Sequence, residues 1–121
     1  MVKLQDLEIG KQKIFDSCNV RHHRVVAFAF TSSGHLIGVE TNRKGSGEIS
    51  DFSYHAEEFL DRKLARIGAY DRYKKINILV ARWARSQEWL LAKPCNGCLR
   101  RLNKRPIDAI YYTDNGLIIK L

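Results

Sequence analysis

The chain has 121 residues, of which 45% are hydrophobic and 28% charged, with two prolines, eight glycines and three cysteines. One domain of that length buries an apolar core without disulfides, and the balance excludes collagen, coiled coil and disorder. A net charge of +8 draws anions, without saying whether they are small phosphorylated molecules or nucleic acid.

In chain order, residues 3–18 set Leu4, Leu7, Ile14 and Phe15 at a loose helical spacing broken by Gly10. Residues 24–31 form a continuous apolar run rich in β-formers, Ser32-Ser33-Gly34 is a turn signal, and residues 35–40 resume the strand pattern. Together they predict a β-hairpin. Residues 41–51, with two glycines, two serines and adjacent cations, read as an exposed, mobile connection. From His55 onward Ala56, Leu60, Leu64 and Ile67 recur at helical spacing, and Gly68 supplies the stop. Residues 76–81 are apolar on both faces, which predicts a central strand. A short helix follows the cysteine pair and ends at Pro106. Residues 109–113 and 117–121 are two more strands, joined by the tight-turn residues Asp114-Asn115-Gly116.

The order helix, β, β, helix, β, helix, β, β shows no repeat and no linker, so residues 1–121 read as a single domain. The fold class is three-layer α/β, a five-stranded mixed sheet with helices on both faces. The last two strands close as an antiparallel hairpin, because three residues are too few for the dozen or more of a parallel crossover. No apolar run approaches the roughly 20 residues that cross a bilayer, and no signal-peptide core opens the chain. With an odd cysteine count, it reads as cytoplasmic and reduced.

Chemistry-bearing residues gather at two predicted helix starts: His55-Ala56-Glu57, and Pro94-Cys95-Asn96-Gly97-Cys98. Zinc takes imidazole nitrogen and thiolate sulfur in a tetrahedron. Cys95 and Cys98, three apart on a first helical turn, face the same way, and the positive helix end favours their thiolates. With His55 they make three ligands for one zinc per chain, leaving the fourth position to a water, as in catalytic rather than structural sites. Glu57, two residues from a ligand, is placed to move protons. Two other readings stand beside this one. Cys95 and Cys98 can be a redox pair, and a fourth ligand from Cys18, His22, His23 or His35 can close a structural zinc site.

His-x-Glu followed by Pro-Cys-x-x-Cys resembles the signature of the zinc-dependent cytidine and deoxycytidylate deaminase superfamily. Its hairpin ending is similar to the free-nucleoside cytidine deaminase branch. Residues 91–98 and 110–116 look like small deaminase-like proteins of phage and microbial genomes. The resemblance implies a cytidine deaminase-like fold and a hydrolase releasing ammonia from a cytosine-type base. His55, Cys95 and Cys98 are then the zinc ligands and Glu57 the proton carrier, while the backbone around Ala56 and Pro94 orients the exocyclic amine. It also implies a nucleoside or nucleotide substrate and a homo-oligomer, since this branch commonly builds its pockets between subunits.

In the nucleoside enzymes an Asn-x-Glu before the histidine binds sugar hydroxyls. Asn42 matches the asparagine, but Lys44 replaces the glutamate and Arg43 lies between, a change that favours an anionic ligand over a bare nucleoside. Trp83 and Trp89 flank Arg82 and Arg85. Trp89 in particular is a candidate for stacking on a base, and interleaved aromatics and arginines also fit single-stranded nucleic acid. Three functions therefore follow: a nucleoside or nucleotide deaminase, a deaminase of single-stranded DNA or RNA, and a non-catalytic zinc-containing binding module.

Overall fold

The structure is a computed structural model in which residues 25–44, 53–83 and 89–121 are described. The helix expected over residues 3–18, with Cys18, His22 and His23, lies outside them.

The first hairpin is β1 (Val25–Thr31) and β2 (Leu36–Thr41), antiparallel. In β1 the side chains alternate between two buried clusters. Ala27 and Ala29 face one way, Val26, Phe28 and Phe30 the other, which is why the run is continuously apolar. Arg43–Lys44 form β3, paired antiparallel with β4 (Ser53–Tyr54). The connection expected over residues 41–51 is thus ordered at its start. Thr41 ends β2, and two-residue strands are too short to show a period in sequence.

Helix α1 (Ala56–Arg66) turns Ala56, Leu60 and Leu64 onto the sheet. Glu57 and Glu58 in its first turn and Lys63 and Arg66 in its last complement the helix dipole. Gly68, at φ 73°, takes the left-handed position that ends it and starts the single turn α2 (Ala69–Arg72). Next come β5 (Ile76–Trp83), the two-residue β6 (Trp89–Leu90) attached to its end, and α3 (Asn96–Leu102). The chain closes with β7 (Ile107–Asp114) and β8 (Leu117–Lys120).

The main sheet runs β2-β1-β5-β7-β8. β5 is central, antiparallel to β1 and parallel to β7, and β8 returns antiparallel. Asn115 and Gly116, at φ 46° and 82°, supply the two positive values of a tight hairpin turn. The fold is α/β with a five-stranded mixed sheet, as the sequence predicts. All three described helices contribute to the cluster on one face, with Ala27, Ala29, Ile78 and Val80. The opposite face buries Val26, Phe28 and Leu79, and no described helix contributes to that cluster. Among the described residues no helix is long and apolar enough to cross a membrane.

Candidate metal centre

The parallel strands β5 and β7 both end, in the carboxyl direction, at one edge of the sheet, where open α/β sheets carry their sites. Residues from the start of β1 and the end of β2 meet them there, and the starts of α1 and α3 complete a cavity of about 220 Å³. His55 is the residue capping α1, in extended conformation, and Cys95 caps α3 in the same way. The Cys95 sulfur turns onto the first turn of α3 and accepts from Cys98 N–H at 3.5 Å, whereas the His55 side chain makes no such capping bond. Cys98 sits inside the first turn of α3 and is buried.

These three side chains converge. Nδ1 of His55 lies 3.2 Å from Sγ of Cys98 and 3.5 Å from Sγ of Cys95. The three ligand atoms all lie within 4.8 Å of one another. Zinc–nitrogen and zinc–sulfur bonds of about 2.0–2.1 and 2.3 Å give a tetrahedral N···S edge of about 3.5 Å. The observed spacing fits that edge. Burial pushes the Cys98 thiol above its ordinary range, and the Glu57 carboxylate and the Cys95 sulfur push it further. A buried thiol beside a carboxylate becomes a stable thiolate when a cation sits against it. The donor set and its surroundings therefore fit zinc. His35 is no fourth ligand, because it lies at the β1–β2 turn, the far end of the hairpin from Asn42 and Val25. Cys18, His22 and His23 lie outside the described residues.

Glu57 is 5% exposed, lines the cavity and faces Cys98. Ala56 lines it too. Pro94 is buried just before the cysteine cap. Asn42 is buried between β2 and β3 and also lines the cavity. Its Oδ1 accepts a hydrogen bond from Val25 N–H at 3.0 Å, and its own N–H donates to Val25 O at 3.1 Å. Arg43 and Lys44 follow in β3, and Trp89 pairs with Trp83 across β5 and β6. The side chains of those four lie outside the described part of the structure.

No protein-family model matches the chain, and no curated protein matches it in sequence. The crystal structure of cytidine deaminase from Burkholderia pseudomallei matches it with a TM-score of 0.63 at 14% identity, over 94% of this chain and 87% of that one. The fold is cytidine deaminase-like.

Within this deaminase-like fold, three residues matter that the motifs do not include. Thr113, fully buried, donates to Leu90 O at 2.8 Å and accepts from Arg82 N–H at 3.2 Å. Its carbonyl also accepts from Ala92 N–H at 2.9 Å, so it fixes the strand that leads into Pro94 and Cys95. Asp61 on α1 accepts from Tyr70 Oη at 2.6 Å, Arg101 Nε at 2.7 Å and Arg105 Nε at 3.0 Å. It thereby ties the helix carrying His55 to the helix carrying Cys98. Burial alone raises the Asp61 pKa, but those donors outweigh it and hold the carboxyl below its ordinary value. Arg82 lines the cavity from the end of β5. Its signal in the sequence is parity: it continues the series Ile76, Ile78, Val80 on the face that packs under the helices.

Proposed function

We propose that the protein is a zinc-dependent deaminase of a cytosine-type base, in nucleoside or nucleotide form. The observation that carries this reading is the convergence of His55, Cys95 and Cys98 beside the buried Glu57 in one cavity of a deaminase-like fold. When bound by those three residues, zinc supplies Lewis-acid activation of water at neutral pH. In the net reaction a C–O bond forms at C4 of the base and the C4–N bond breaks. One proton of the water ends on ring N3 and the other leaves in ammonia. Glu57 takes a proton from water and returns it to the departing nitrogen, and its burial keeps that carboxylate out of bulk solvent. The backbone at Ala56 and Pro94 orients the exocyclic amine, and Asn42 meets the sugar side of the ligand.

Incubating zinc-loaded protein with a panel of cytosine and adenine nucleosides and nucleotides, scored by ammonia release, tests the proposal. Turnover of a cytosine compound that disappears in Glu57→Gln with zinc retained is the expected result. Zinc retention with no turnover of any compound makes the protein a binding module instead.

A second reading keeps the chemistry and takes single-stranded nucleic acid. A hollow of about 680 Å³ on the flank of α3 favours it, where Arg100 and Lys104 accompany Arg101 and Arg105, the two arginines paired with Asp61. Oligonucleotide affinity should then fall with salt, with a log–log slope of about −0.7 per phosphate neutralised. Two further parts of the proposal follow from the resemblance. The thiols need a reducing compartment, which fits a cytoplasmic protein of nucleotide metabolism. The exposed Leu117 and Ile118 on β8, an edge strand among the described residues, and Leu121 just after it fit cover by a second copy, which a solution mass measurement checks.

A further inference from the structure

We propose that Arg82, assisted by Lys93, binds a phosphoryl group of the substrate, so that the cavity takes a phosphorylated nucleotide in preference to an uncharged nucleoside. The inference deepens the deaminase reading of the same cavity and rests on it.

Arg82 stands where β5 would otherwise place a fourth apolar side chain. Ile76, Ile78 and Val80 precede it on that face and are all buried in the cluster beneath the helices. The backbone there is held firmly, by pairing with Val25 and Leu90 and by the hydrogen bond to Thr113. At the other end of the side chain, Nε of the guanidinium is buried and meets no acceptor among the described residues. No carboxylate among the described residues pairs with it either. Bulk water does not reach that N–H, and Arg82 lines the cavity, so a ligand entering there can supply the acceptor.

The charges around the cavity point the same way. A divalent zinc ion offsets the thiolates of Cys95 and Cys98. Among the described residues the remaining lining charges are one carboxylate, Glu57, against two cations, Arg82 and Lys93. The surplus is positive, and an uncharged nucleoside leaves it unanswered. A phosphoryl group matches the planar fork of a guanidinium, while exposed Lys93 adds a point charge at the rim. At about 220 Å³ the cavity is smaller than the roughly 300 Å³ at the low end of drug-sized pockets. It is suited to one heterocyclic ring, with the charged part of the ligand at its margin.

Binding of product-state ligands isolates this claim from turnover. Calorimetry on zinc-loaded protein with uridine, uridine 5′-monophosphate and a short deoxyuridine oligonucleotide should show the charged ligands binding roughly 10- to 100-fold tighter than uridine. Arg82→Gln should bring that preference to about 3-fold or less while zinc content holds, and Lys93→Gln should reduce it by a smaller factor. Lys93 is exposed, so its variant reports even if Arg82→Gln folds poorly. A preference shown by the monophosphate assigns the phosphoryl group to a free nucleotide, and one shown more strongly by the oligonucleotide assigns it to a strand. Equal affinity for uridine and its monophosphate, or a preference that survives both substitutions, overturns the inference. If cytidine is deaminated in that case, the enzymatic reading stands without the phosphate site. If instead Arg82 governs binding of the monophosphate and no cytosine compound is turned over, it is the deaminase reading that fails.

Discussion

Glu57 opens α1 beside Cys98, so a carboxamide in its place keeps the shape and removes the proton carrier. Glu57→Gln should lower the rate of ammonia release by about 10²- to 10⁴-fold, the usual contribution of one positioned acid–base group, with zinc content at one per chain. His55→Ala and Cys98→Ser should instead abolish stoichiometric zinc binding, measured by metal analysis of the purified protein. The two outcomes separate a residue that moves protons from residues that hold the ion. A third side chain, Asn42, sits at the cavity wall with its Oδ1 already accepting from Val25 N–H. Asn42→Asp leaves that acceptor in place and puts negative charge at the wall.

The helices that carry the ligands are held in register by Asp61. Its carboxylate receives Tyr70 of α2, Arg101 of α3 and Arg105 just beyond α3, and Glu58 of α1 adds a longer pairing to Arg101 at 3.5 Å. Both arginine side chains are more than a third exposed, at 39% and 38%, which discounts the ion pairing. Asp61→Asn should therefore destabilise the fold by about 1–3 kcal/mol at neutral pH, read by urea denaturation. The sign with pH follows from the lowered carboxyl pKa in the folded state. Its contribution is fully present above the unfolded value of about 3.9 and is lost as pH falls toward the folded value. The stabilities of wild type and variant should converge in acid. At the last hairpin, Gly116 at φ 82° has open space around it, so Gly116→Ala meets backbone strain and no clash. A loss of about 1 kcal/mol is expected in the same assay.

Elements of this kind mark the limit of what the sequence states. The five main strands and α1 were legible because each is long enough for alternation or helical spacing to show. The pairs β3–β4 and β5–β6 rest on two residues per strand, and α2 on one turn, too little for any period. The central strand runs two residues past the apolar stretch that ends at Ala81, so Arg82, a member of the aromatic and arginine pattern in the sequence, stands in the cavity wall by its parity with Val80. Asp61 carried no such signal. It is an acid beside Leu60 and Leu64 on the buried side of an amphipathic helix, and its basic partners lie 40 and 44 residues away, where no local spacing points to them.

At the scale of the molecule, the candidate site joins parts of the chain that are distant in sequence. His55 and Cys95 are 40 residues apart, and the ion they would share crosslinks α1 to α3 across the end of the sheet. Removing zinc with a chelator should consequently lower the melting temperature as well as stop ammonia release, and added zinc should restore both. X-ray absorption at the zinc edge examines this crosslink most directly. The account predicts one zinc per chain with two sulfurs at about 2.3 Å, one imidazole nitrogen at about 2.0–2.1 Å and one further light atom from solvent. A shell of four protein ligands, or one lacking the two sulfurs, would contradict it.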